Sequence, residues 1–130
     1  MGRIRHSAII VTGSEKADAE LAHKIATEFG LIVTPVIPGR ANGYASFMVC
    51  PDGSKEGWDT SRNYDVIRHA FVNWLVEPHQ VERRGYGAEA SYLAQAHFDW
   101  VYLDFGGDDD DVVVRDHVDN DDRKEQLDFS

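Results

Sequence analysis

The strongest constraint on this chain is the order in which two periodicities follow one another. Short runs with the two-residue alternation of a strand enclose two stretches with the three-to-four-residue spacing of an amphipathic helix. "SAIIVT" (7–12) is the first strand-like run, and Ser14 offers an N-cap for the stretch behind it. There Ala17, Leu21, Ile25 and Phe29 recur every four residues, with Ala22 beside them, and Gly30 closes the helix. "LIVTPVIP" (31–38) is again strand-like, but Pro35 has no N–H to give a ladder and belongs at a sheet edge. "GRANG" turns the chain into "YASFMVC", which sets Ala45, Phe47 and Val49 on one face and Tyr44, Ser46, Met48 and Cys50 on the other. Asp59, Thr60 and Ser61 are N-cap candidates for a second helix with a stripe of Val66, Ile67, Ala70, Phe71, Trp74 and Leu75, stopped by Pro78. Residues 79–97 read as a loop with one short helical turn. "FDWVYLDF" then alternates Trp100 and Tyr102 against Val101, Leu103 and Phe105, and "GGDDDD" joins it as a hairpin to "VVVRDH".

The order is therefore β-α-β-β-α-β-β. With short hairpins and right-handed crossovers, its simplest packing is an α+β domain: a ferredoxin-like antiparallel sheet with two helices on one face. That topology puts the second strand at an edge, where Pro35 belongs. The 130 residues, 42% hydrophobic, suffice for one core. The expected division is a single α+β domain over 1–118 and an acidic C-terminal tail over 119–130.

Charge narrows the function. Eleven of the 23 acids and three of the 13 bases lie in residues 104–130, so that segment carries −8 of the net −10 and the first 103 residues carry −2. Neutralising a phosphate backbone needs clustered cations, which argues against direct nucleic-acid binding and, by the same reasoning, against an anionic membrane surface. No apolar run approaches the roughly 20 residues of a membrane helix. The start, "MGRIRHSAIIVTG", reads as a first strand and not a signal peptide. The single cysteine, Cys50, allows no intrachain disulfide and fits a reducing cytoplasm.

Motifs for chemistry are sparse. "VTGSEKA" has one glycine at a strand-to-helix turn, far from a dinucleotide or P-loop pattern. Six histidines (His6, His23, His69, His79, His97, His117) show no metal-ligand spacing, and no cofactor is expected. Cys50 reads as packing. "PDGSKEGW" (51–58) has turn chemistry and reads first as a strand-to-helix connection with Trp58 over the core. A ligand site is the alternative there, because Lys55, Glu56 and Trp58 stand just before a helix start, where backbone N–H groups favour an anion. The acids Asp108, Asp109, Asp110 and Asp111, with Asp119, Asp121 and Asp122 beyond, lack a calcium-loop pattern. They are either a solvated tail or spaced carboxylates that imitate a phosphate backbone.

Through "NGYASF" and "PDGSKEGW", together with "AIIVTG" and "DWVYLDFGGDD", most of the chain resembles small uncharacterised proteins encoded by tailed bacteriophages. The resemblance implies a phage or prophage accessory protein in the host bacterial cytoplasm and carries over no activity. The expected function is non-enzymatic: modulation of a host or phage protein, with counter-defence by acidic mimicry or by sequestering a small nucleotide. The expected ligand residues are Asn42, Tyr44, Ser54, Lys55, Trp58 and Arg62, and the expected partner-binding residues are the seven aspartates named above. The alternative is a small hydrolase or nucleotide-processing enzyme using histidine and aspartate side chains.

Overall fold

A computed structural model describes residues 4–55, 57–84, 91–108 and 110–119. Its elements are β1 (His6–Gly13), α1 (Lys16–Glu28), β2 (Ile37–Pro38), β3 (Ala45–Val49), α2 (Asp59–Val76), β4 (Gln80–Arg84), β5 (Ser91–Gln95), β6 (Phe98–Phe105) and β7 (Val113–His117). Five strands form one antiparallel sheet in the order β2-β3-β1-β6-β7, and β4 and β5 pair separately. The chain is thus α+β, with an antiparallel sheet and two helices. Among the described residues no helix is long and apolar enough to cross a membrane.

The alternation in β3 and β6 decides which face is covered. Phe47 and Val49 of β3, Ile9 and Val11 of β1, and Trp100 and Tyr102 of β6 share one face and are buried with Ala22 and Ala26 of α1 and Phe71, Val72 and Leu75 of α2. Both helices therefore lie on that face. The two-residue β2 sits at the sheet edge, directly after the segment holding Pro35. α1 ends in a Schellman motif: Gly30, at φ +86, donates its N–H to Thr27 O and Leu31 donates to Ala26 O. α2 ends at Val76 because Glu77, preceding Pro78, is extended.

Four expectations differ from the structure. Neither helix has a side-chain N-cap: α1 begins at Lys16 after Glu15, and Ser14 instead gives its backbone N–H to His97 O. The buried face of α1 is Asp18, Ala19, Ala22 and Ala26, rotated from the Leu21–Phe29 stripe, because small side chains let the helix approach the sheet closely. On α2, Val66 is exposed while Arg68 and Val72 are buried. Residues 80–84 and 91–95 form a hairpin, not a loop with a helical turn. Polar anchors hold that hairpin, with His79 stacked on Trp74 at 3.9 Å and Arg83 bonded to Asp18, so its sequence lacks a strong apolar alternation. The expected acidic tail lies outside the described residues beyond Asp119.

Gly13 explains the glycine of "VTGSEKA". A Cβ there would stand 2.5 Å from Ala19 N and 2.9 Å from Asp18 Cβ, so the residue lets the first turn of α1 close over the end of β1.

Candidate functional site

The β6–β7 hairpin sits at one edge of the sheet, braced from beneath by a polar network. Tyr102 of β6 points into the helix-covered face, and its ring is almost fully buried. Its hydroxyl accepts hydrogen bonds from Arg68 Nε of α2 at 3.1 Å and Arg115 Nη1 of β7 at 2.8 Å, and donates to Asp65 Oδ1 at 3.4 Å. Arg68 Nη2 also donates to Asp65 Oδ1 at 2.6 Å, and Arg68 Nη1 lies 3.7 Å from Asp52. Arg115 lies 3.7 Å from Asp104 Oδ1, which accepts from Ser7 Oγ at 2.6 Å. Three aspartates thus face two arginines across α2, β6, β7 and the loop after β3.

The electrostatics match a brace. Burial acts to raise the Asp65 carboxyl, but the bonds and charge of Arg68, and then Arg115, outweigh it and hold the group below the ordinary carboxylate value. Burial acts to lower Arg68, and its bonds to Tyr102 and Asp65 reverse this and raise it. Burial raises the Tyr102 hydroxyl, against the opposing charges of Arg68 and Arg115. A phenol kept protonated, with its proton and lone pairs already engaged, is poorly placed to attack or relay a proton.

Above the brace, all five positions of β7 are exposed, as are Asp108, Asp110, Asp111, Val112 and Asp119. Asp108 is partly structural, since Ile4 N donates to its carboxylate and its own N–H bonds Ile4 O, each at 2.8 Å. The turn needs its glycines: Gly107 lies at φ +66, and a Cβ there would stand 2.1 Å from Ile4 O. Arg115, the one base among the described residues of this hairpin, is folded under onto Tyr102, its guanidinium 4.6 Å from the ring centroid. The carboxylates that face outward therefore outnumber the cations, and they stand beside the exposed Val112, Val113 and Val114. Asp109, Asp121 and Asp122 lie outside the described residues.

No family model, curated protein or solved structure matches the chain.

The expected ligand residues fall into two groups that do not meet. Asn42 and Gly43, at φ +62 and +75, make the turn before β3, and Tyr44 enters that strand beside an apolar groove. Lys55 bridges to Ile4 beyond the other end of β3. Five strand residues, roughly 17 Å, separate the groups. In the second group, Ser54 donates to Asp52, and Arg62 is paired with Asp59. Trp58 does not lid the core: it is 50% exposed, with Lys55 Nζ 6.0 Å from its ring. The loop is anchored instead by Asp52 on Arg68.

The histidines are dispersed. His6 packs on Phe105, His23 on Phe47, His69 on Tyr102 and His79 on Trp74, while His117 bonds Val118 O. Among the described residues no group of three His, Cys, Asp or Glu side chains is placed to hold a metal. Two sequence signals mark the network that the sequence reading missed. Tyr64, Arg68, Phe71 and Leu75 share one helical face, so a cation stands within the apolar stripe. Arg115 stands alone among acids.

Proposed function

We propose that this chain is a phage or prophage accessory protein of the bacterial cytoplasm that binds rather than catalyses, taking a basic protein partner on the acidic β6–β7 edge. The observation that carries the reading is β7 itself. It is an outermost strand of the main sheet, exposed at every position, flanked by carboxylates, with its lone arginine turned inward. An outer strand offers backbone donors and acceptors to an extended segment, and the flanking acids favour lysine or arginine in that segment. A basic surface that ordinarily holds nucleic acid is the complement, so occupation of it would be counter-defence by mimicry. The brace beneath adds pre-organisation, because little ordering remains to be done on binding. The strand order β2-β3-β1-β6 and the two helices on one face support a ferredoxin-like course, with β7 added beyond β6.

The test is capture from bacterial lysate on the immobilised full chain, washed at rising salt, with bound proteins identified by mass spectrometry. The reading expects a nucleic-acid-binding protein that elutes as salt rises and is lost with the double substitution Asp110→Lys and Asp111→Lys. Capture that is indifferent both to salt and to those substitutions would sink it.

A second reading rests on the half-exposed Trp58 beside Lys55, a flat ring next to a cation, which suits the base and phosphate of a small nucleotide. Nucleotide that co-purifies with the wild type and is lost with Trp58→Ala would favour it.

A further inference from the structure

The two edges of the main sheet are finished differently. β2 is two residues long and ends in Pro38, which has no N–H to give, so that edge is blunt. β7 is the other edge, and the register shows which of its backbone groups point away from β6. β6 pairs with β1 without interruption, so its backbone groups alternate regularly between its two neighbours. Val118 donates its N–H to Trp100 O, so Trp100, Tyr102 and Asp104 are the β6 residues that face β7. Asp116 stands opposite Tyr102 and Val113 opposite Asp104, so these two face inward. His117, opposite Val101, and Val114, opposite Leu103, therefore turn their N–H and C=O outward. Arg115 is the extra residue of a β-bulge between them. The same alternation turns Val112 outward, two residues before Val114.

The outward groups are not equally available. Asp116 Oδ1 accepts the His117 N–H at 2.9 Å, and His117 Nδ1 bonds Val118 O at 2.8 Å, so the far half of the edge is closed by its own side chains. The bulge divides that half from residues 112–114, and its Arg115 is turned under onto Tyr102. Val112, Val113 and Val114 are all exposed. The turn before them carries the exposed Asp110 and Asp111 and is fastened by Asp108 to Ile4.

Resting on the reading of this edge as the surface for a basic partner, we propose that the partner adds a strand to residues 112–114 alone, as a short extended segment in which lysine or arginine alternates with an aliphatic residue. Val112 and Val114 each offer an outward N–H and C=O, enough to pair with two alternate residues of such a segment. Val114 shares with Leu103 the sheet face turned away from the helices, where an aliphatic cross-strand neighbour fits. Asp110 and Asp111 favour a cation in the residues alongside. The bulge and the Asp116 cap set the length, because a longer strand finds nothing to pair with beyond Val114. Strand pairing differs from attraction by charge alone, in which the backbone of β7 has no part.

Fluorescence anisotropy of a labelled, end-capped pentapeptide alternating lysine and valine, titrated with the full chain to about 1 mM, reads the pairing. The expected result is saturable binding that Val114→Pro weakens at least about tenfold, since that variant removes an outward N–H while keeping the bonds to β6 and the net charge. Thermal unfolding that matches wild type verifies the variant, and Val112→Pro takes its place if it does not fold. His117→Pro should bind as wild type does, because Asp116 already holds the N–H that it removes. No binding by wild type at about 1 mM, wild-type affinity in the folded proline variant, or equal losses at positions 114 and 117 overturns the proposal. Salt-sensitive capture from lysate separates it from the broader reading. Capture that persists in the folded proline variant leaves the basic partner standing and removes the strand pairing, whereas the absence of any salt-sensitive capture removes both.

Discussion

Arg68 of α2 and Arg115 of β7 meet at one atom, the hydroxyl oxygen of Tyr102, from which they stand 3.1 and 2.8 Å away. Two guanidiniums are brought together on a neutral acceptor because Asp65 lies between them, 2.6 Å from one and 3.3 Å from the other. The hydroxyl is thus the joint through which helix and edge strand are fixed to each other.

Removing that joint while keeping the ring isolates its contribution. Tyr102→Phe retains the burial of the ring and the stacking of Arg115 on it, but leaves two cationic donors short of an acceptor. We expect a loss of about 2 kcal/mol, the scale for hydrogen bonds to charged groups with donors left unsatisfied. Urea denaturation measures it, and a change under about 0.5 kcal/mol, the scale of a neutral surface substitution, would show that water replaces the hydroxyl.

The Asp65 pair should be visible in acid. Its folded carboxyl lies below the unfolded value of 3.8, so its stabilisation is present above that value and is lost as pH falls through the folded value. Asp65→Asn should therefore be less stable than wild type near neutrality, by about 1 kcal/mol because the side chain is 41% exposed and water screens the pair. The gap should narrow as pH drops below 3.8. Stability curves of the two proteins between neutrality and acid are the measurement, and a gap that stays constant would remove Asp65 from the linkage.

What the sequence disclosed is what local periodicity encodes. The alternation through Phe47 and Val49 and through Trp100 and Tyr102 identified the covered face, Pro35 marked the edge, and Gly30 marked the end of α1. The same alternation held the open face in view, through Ile10, Met48, Val101 and Leu103, but a one-sided sheet reads alike whether its second side meets water or another protein. The brace was hidden for a different reason. Arg68 and Tyr102 are 34 residues apart and Asp18 and Arg83 are 65 apart, and no local spacing links them. The β4–β5 hairpin depends on that second pair, which is why residues 79–97 read as a loop.

Gly13 should tolerate no side chain. A Cβ placed 2.5 Å from Ala19 N presses on helix backbone that is itself packed against the sheet, so neither side can give way cheaply. Gly13→Ala should cost about 2–3 kcal/mol, the upper part of the range for overpacking a tight contact. Thermal unfolding against wild type reads the effect. A variant that melts with wild type would mean that α1 can slide away from β1.

The sharpest double substitution concerns the pair that attaches the β4–β5 hairpin to α1. Asp18 is fully buried, and its Oδ2 accepts from Arg83 Nη2 at 2.6 Å and from His97 N at 3.1 Å. Among the described residues its Oδ1 and Arg83 Nε have no hydrogen-bond partner, so the buried Asp18 charge depends strongly on Arg83, which also lies 3.6 Å from Glu15 and donates to Gln95 O. Arg83→Met keeps most of the side-chain length but leaves a carboxylate buried without its cation, which should cost about 3–5 kcal/mol. Asp18→Asn removes the charge and can still accept from His97 N, so on its own it should cost less. In the double variant the uncompensated charge is gone, and we expect the losses to fall well short of additive, with a coupling of at least about 1 kcal/mol. Chemical denaturation of the four proteins closes the cycle. Additive losses would mean that the hairpin is attached by its packing on Trp74 and α1, with the ion pair as a bystander.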